Sequence, residues 1–242
     1  MKREKILKFL EKTFAFSNHN KETNGLILFG KKDISKIGLA VNTSFETIEK
    51  AVEKKIDFLI VHHPPFKSED FENREIKINF LKRHKINLFA LHEALDCHKT
   101  LGTSTYLLKL LKLKYSSVLE DKNGLSICFV GKRVVNNNFI YLLKKTFRKI
   151  KIYKYNNFFK KIAIAAGYNG KPYLINQAKK TGCDTFITGE GHMFGGLFAK
   201  ENKINLILIG HYQSEFFIMK EIRRIIKKKL MKNVVIIKEK EL

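Results

Sequence analysis

Short apolar segments alternate with stretches of helical period along the whole chain, and this alternation confines the fold to the α/β class. Apolar residues at helical spacing (Ile6, Leu7, Leu10, Phe14) predict a helix over 3–16. A strand at 37–41, a helix over 44–55 and a strand at 58–61 follow. A helix over 72–83 then leads to a strand at 87–91, and another helix covers 99–112. The second half repeats the grammar. Strands at 126–130, 151–155, 162–165, 184–188, 206–209 and 233–238 are interleaved with helices over 137–148, 172–180, 193–200 and 213–229. Mostly parallel sheets are the expected arrangement. The turn-forming cluster Asp121-Lys122-Asn123-Gly124 marks the expected boundary between an N-terminal α/β half, 1–120, and a C-terminal one, 121–242.

Composition narrows the class of protein. The 242 residues can bury one large core or two modest ones, and 44% hydrophobic with 29% charged residues is a globular mixture. The apolar runs are only about five residues long, where a membrane-spanning helix needs roughly 20. The N-terminus leads into an amphipathic pattern and not into an apolar signal core, so a cytoplasmic protein is expected. Three scattered cysteines, Cys97, Cys128 and Cys183, form no Cys-x-x-Cys pair. They read as plain buried thiols in a reducing compartment, with no thiolate metal site. The formal charge of +24 is carried mainly by lysines spread along the chain. Nucleic-acid readers tend to use the bidentate fork of arginine. Nucleic acid is therefore a less favoured partner than an anionic small molecule.

The unusual residues collect at strand ends, where α/β sheets place ligands. His62 and His63 close the strand 58–61, and Pro64-Pro65 stops it from continuing. His92 follows the strand ending at Leu91, with Asp96 four residues on. His211 follows the strand 206–209, with Glu215 four residues on, a spacing that stacks both side chains on one helix face. Each histidine alone reads as an ordinary polar strand terminus. Their convergence on three strand ends favours metal ligands. Adjacent strand residues point to opposite sides, so His62 and His63 are expected to serve two ions and not to chelate one. His192 lies just past the strand 184–188, where it can reach a site or start a helix.

These motifs resemble one family. The run Asp57-Phe-Leu-Ile-Val-His-His-Pro-Pro-Phe66 resembles the His-His-Pro signature of the Nif-three-like dinuclear metal-binding proteins, also labelled type 2 homologues of GTP cyclohydrolase I. Asn24-Gly25-Leu26, Leu91-His-Glu-Ala-Leu-Asp96, Thr188-Gly189-Glu190 and Gly210-His-Tyr-Gln-Ser-Glu215 resemble their other elements, in order along essentially the whole chain. The length resembles the short members that lack an inserted central domain. The resemblance implies two similar α/β halves with a dinuclear metal site in the cleft between them. It implies His62, His63, Asp96, His211 and Glu215 as metal ligands, Glu215 as a candidate bridge, and a ring-like homohexamer. Three segments depart from the family pattern: Glu93-Ala94 where Thr-Asn is usual, Asn42-Thr43 where an Asp is usual, and the glycine-rich 191–196 around His192.

A mixed imidazole–carboxylate set suits two divalent ions among Zn, Fe, Mn, Co and Ni. The expected activity is metal-dependent hydrolysis of a nucleotide or other phosphorylated small molecule. His92 is the candidate catalytic base, or the partner that orients Asp96 or the water, and Glu190 and His192 are the candidate substrate contacts. The family label suggests opening of the GTP ring with release of formate, although the chain has no P-loop. Two alternatives are a non-catalytic hexameric metal-binding scaffold and a nucleic-acid-associated ring.

Overall fold

The computed structural model describes residues 1–134, 138–230 and 233–240. In chain order the elements are α1 (Arg3–Phe14), β1 (Asn24–Leu28), β2 (Ile37–Asn42), α2 (Phe45–Glu53), β3 (Phe58–His63), α3 (Lys67–Asp70), α4 (Glu72–Arg83), β4 (Asn87–Leu91), α5 (Glu93–Asp96) and α6 (Thr103–Leu110). There follow β5 (Leu113–Glu120), β6 (Ser126–Arg133), α7 (Phe139–Thr146), β7 (Lys151–Tyr153), β8 (Lys161–Ala165), α8 (Pro172–Lys180), β9 (Thr185–Thr188), α9 (Met193–Glu201), β10 (Asn205–Leu208), α10 (His211–Lys229) and β11 (Val234–Ile236). The helix expected over 137–148 begins at a residue outside the described set and is otherwise found as α7. Among the described residues no helix is long and apolar enough to cross a membrane.

The chain divides into two compact units, Met1–Leu95 with Met219–Leu242, and Asp96–Ile218. The first holds a sheet of order β1-β4-β3-β2-β11, parallel except where β1 runs antiparallel to β4. The second holds a sheet of order β5-β6-β8-β9-β10-β7, parallel only at β8-β9-β10. The second sheet is thus mixed where a mostly parallel one was expected. Asp121–Gly124 supplies the turn between β5 and β6, with Gly124 N–H donating to Asp121 O at 3.2 Å. Its residues form a turn wherever a tight reversal is needed, including inside a unit.

Strands β1 and β5 were not legible in the sequence. β5 is largely exposed, with a polar stretch Lys114–Ser117 that breaks any alternation. The central strands have both faces covered. Ile162 and Ile164 of β8 face one apolar cluster with Phe129, Leu143 and Ile187. Ala163 and Ala165 face another with Leu174, Phe186 and Leu206. A strand buried on both sides reads as a continuous apolar run. Cys128 and Cys183 lie in the second of these clusters, and burial pushes both thiols above their ordinary range.

Within each unit the same device repeats. Two residues beyond the ends of helices α4 and α9 stands a lysine in the left-handed region, Lys85 (φ 53°) and Lys203 (φ 54°). The following N–H turns back to the helix: Ile86 donates to Leu81 O at 3.1 Å and Ile204 to Ala199 O at 2.9 Å, the closure of a Schellman motif. Next comes a fully buried asparagine, Asn87 or Asn205, at the first position of β4 or β10. The aspartate heading the preceding strand is matched too. Asp57 Oδ2 accepts from Ser35 and Lys36 N–H at 2.8 and 3.1 Å, and Asp184 Oδ2 from Lys160 and Lys161 N–H at 2.8 and 3.0 Å. Two similar α/β units therefore begin their central strands by the same local chemistry.

Candidate metal centre

In the first unit three imidazoles meet at the ends of β3 and β4. The ladder from β3 to β4 stops at Val61–Ala90, and Pro64-Pro65 follows His63, so the last residues of β3 are no longer held on both sides. The ring of His62, fully buried, is anchored through Nδ1, 2.8 Å from Leu91 O. A carbonyl only accepts, so Nδ1 carries the proton and Nε2 of the neutral ring keeps its lone pair. The His63 ring is anchored through Nδ1 at 2.8 Å from Asn42 Oδ1. The two rings lie 4.4 Å apart, and His92 sits 5.0 Å from His62 and 5.4 Å from His63. One ligand nitrogen from each of the three falls within 4.8 Å of the others. Strand alternation alone predicted divergence of His62 and His63. The anchors at Leu91 and Asn42 turn the two rings together.

His92 is backed by a network that sequence reasoning missed. Its Nδ1 lies 3.4 Å from Glu93 Oε2. Burial alone would raise the Glu93 carboxyl, but hydrogen bonds from His92 and Thr23 outweigh it and hold Glu93 down at about 2. Asn24 cradles the start of α5. Its Oδ1 accepts from His92 and Ala94 N–H at 2.9 and 3.0 Å, and its Nδ2 donates to Glu93 and, at 3.2 Å, to Asn20 O. Gly25 follows at φ 101°, a conformation for which glycine is the natural residue. The Asn-Gly dipeptide was legible as a motif, whereas its role in setting His92 was not.

In the second unit an imidazole lies between two carboxylates. α10 begins at His211, so Glu215 falls one turn on, with Oε1 at 3.2 Å from His211 Nε2. Glu190, past the end of β9, brings Oε2 to 3.4 Å from His211 Nδ1. Burial opposes a proton on His211, but Glu215 and Glu190 prevail and lift it to about 9. Any cation bound at this ring would have to displace a proton at neutral pH. Glu215 is nearly buried and is closely fitted: a Cβ on Gly167 (φ 69°) would lie 2.6 Å from Glu215 Oε1. Ser214 Oγ donates to His211 O at 2.6 Å and accepts from Gly167 N–H at 2.9 Å, which fixes this corner. Asp96, at the end of α5, accepts from Thr103 Oγ1 at 2.7 Å. His192 caps α9, its Nδ1 accepting from Phe194 N–H at 3.2 Å. The donors are imidazole and carboxylate without thiolate, several of them anchored by neighbouring hydrogen bonds, and this chemistry fits a divalent transition metal.

A family model described as Duf34/NIF3 (NGG1p interacting factor 3) matches residues 1–241. A GTP cyclohydrolase 1 type 2 homolog of Pyrococcus horikoshii is 30% identical over 239 residues, covering 95% of this chain and 94% of the relative. Another, of Haemophilus influenzae, is 33% identical over 202 residues and covers 79% of each. Among solved structures, protein ybgI, described as of unknown function, superposes with a TM-score of 0.88 at 22% identity over 100% of this chain and 99% of the other. Reduced HcgD from Methanocaldococcus jannaschii gives 0.84 at 24% identity over 99% and 98%. The motifs at the strand ends, the fold and the match over 1–241 lead to one conclusion: the chain belongs to the Duf34/NIF3 (NGG1p interacting factor 3) family.

Proposed function

We propose that this protein is a metal-dependent hydrolase of a nucleotide or other phosphorylated small molecule. Two divalent ions would be held by His62, His63, Asp96, His211 and Glu215. The observation that carries the reading is the gathering of His62, His63 and His92 within 4.8 Å, with two rings tied through Nδ1. The relatives named GTP cyclohydrolase 1 type 2 homolog support a nucleotide as substrate class. Two ions, when bound, acidify water and stabilise negative charge on a substrate oxygen. The chain's own residues do the rest. His92 takes a proton from the attacking water, and Glu93 beside its Nδ1 stabilises the imidazolium that results. Glu190 and His192 contact the substrate, and the lysine excess draws an anion toward the protein.

Elemental analysis of tag-free protein tests this first. About two equivalents of a transition metal per chain are expected, with less in His63→Ala and in Glu215→Ala while both remain folded. Unchanged stoichiometry in both variants removes the ligand assignment. Metal retained without hydrolysis of any nucleotide or phosphoester leaves the scaffold role instead. We further propose that the chain assembles into a ring of identical copies. It should then sediment well above a 28.2 kDa monomer, and a monomer at micromolar concentration overturns the ring.

A further inference from the structure

The last strand of the chain carries a carboxylate to the back of one of these histidines. β11 runs parallel to β2 in the register Val234–Ile37 to Ile236–Leu39, and Ile237 N–H donates to Leu39 O at 2.8 Å. The chain therefore continues alongside β2 to its end. There Glu239 accepts twice from Asn42, through Oε1 from the backbone N–H at 3.0 Å and through Oε2 from Nδ2 at 2.8 Å. Thr47, fully buried on α2, also hydrogen-bonds Glu239. On its other side Asn42 Oδ1 lies 2.8 Å from Nδ1 of His63.

The types of donor and acceptor give this chain of contacts a direction. A carboxylate accepts, so the amide turns its NH2 toward Glu239. Its oxygen then faces the ring, and because an amide oxygen also accepts, Nδ1 must be the protonated nitrogen. The neutral ring is left with its lone pair on Nε2. Asn42 alone does not impose this, since an amide turned end for end presents NH2 to the ring and selects the opposite tautomer. His62 is an internal contrast. Its Nδ1 faces a backbone carbonyl, Leu91 O, which has no second orientation.

We propose that Glu239 is a positioning residue for metal binding, holding His63 through Asn42 in the tautomer that offers Nε2 to the ion. The inference rests on the reading of His63 as a ligand, but its first consequence, the tautomer of His63, exists in the metal-free chain. Partners behind a metal ligand raise its basicity and set its orientation, and their loss commonly lowers affinity about 10- to 100-fold. Here the carboxylate behind Asn42 comes from a position 197 residues away from it in sequence.

The test compares the full-length chain, Glu239→Gln and the double variant Asn42→Asp/Glu239→Gln. Two readouts are taken: zinc affinity by competition with a chelator, and the histidine tautomers of the metal-free protein by long-range nitrogen–proton correlation. Glutamine offers one acceptor to two donors. Glu239→Gln is therefore expected to move His63 off the Nδ1–H form and to weaken zinc about 10- to 100-fold, with His62 unchanged. In the double variant the introduced carboxylate accepts directly from His63 Nδ1, and both readouts should return toward wild type although Glu239 is still absent. A purely structural role for Glu239 gives no such rescue. Retention of the Nδ1–H form and of zinc affinity in Glu239→Gln overturns the proposal, as does a loss that the double variant fails to restore. If Glu239→Gln does not fold, the double variant alone decides, by whether it binds zinc with His63 in the Nδ1–H form. A wild-type chain that binds no zinc sinks the ligand assignment, and the tautomers then decide the relay by themselves.

Discussion

Replacing Gly195 by alanine is expected to destabilise the protein by about 2 kcal/mol or more, while Gly196→Ala, one residue later, is expected to stabilise it by about 0.5–1 kcal/mol. Both glycines lie in α9, where glycine costs backbone entropy relative to alanine. A Cβ at Gly195 would fall 1.9 Å from Gly170 O, a backbone atom with no rotamer to yield. A Cβ at Gly196 meets nothing within 4 Å. The helix approaches the loop after β8 closely because Gly195 carries no side chain. That loop is bound in turn to the end of β9: Gly170 N–H donates to Glu190 O at 3.1 Å, and His192 N–H to Gly170 O at 3.2 Å. Gly195→Ala should therefore disturb the setting of Glu190 as well as stability. Denaturant midpoints of the two variants give the answer, and an unchanged or raised midpoint in Gly195→Ala would show that the close approach is not a constraint.

Removing either of the paired buried asparagines should cost about 2–4 kcal/mol, among the larger effects of any polar substitution in the chain. Asn205 Oδ1 accepts from Tyr155 and Asn156 N–H at 2.7 and 2.9 Å, and its Nδ2 donates to Asn156 Oδ1 and Phe158 O at 3.0 and 2.8 Å. Asn87 Oδ1 accepts from Gly30 N–H at 2.9 Å, and its Nδ2 donates to Lys31 O and Asp57 O, both at 2.9 Å. In each unit one side chain ties the first residue of a parallel strand to the segment that follows its antiparallel neighbour, β7 or β1. Asn205→Ala and Asn87→Ala leave several partly buried backbone groups without their acceptor or donor. Substitution by aspartate keeps the acceptors but buries a charge and loses both donors, so it should be no milder. Chemical denaturation measures both pairs, and losses below about 1 kcal/mol would show that water replaces the asparagine.

The repeat behind this second expectation was written in the sequence. Lys-Ile-Asn-Leu occurs at 85–88 and again at 203–206, each time between a helix and a strand. The alternation of apolar runs and helical periods was enough for the α/β class, because burial on one or both faces leaves a local signature that needs no knowledge of partners. The histidines at strand ends were legible for the same reason, since Pro64-Pro65 and Gly210 mark where strands stop. His92 was placed beside the site, yet Glu93, which sets its charge environment, read only as a departure from a motif.

What a chain segment does locally, whether it forms a helix, a strand or a stop, was determined by the sequence itself through propensity, period and turn chemistry. Which atoms meet was decided by tertiary structure. The largely polar β5 forms because β6 supplies a ladder, and no alternation within its own residues announces it. Asn42 faces Glu239 because β11 pairs with β2 in one register. A slip of one residue would turn that carboxylate to the other face of the strand. Hydrogen bonds between residues 197 apart carry no periodic trace in the sequence. They follow from the sheet order, and the sheet order comes from the packing of the whole unit.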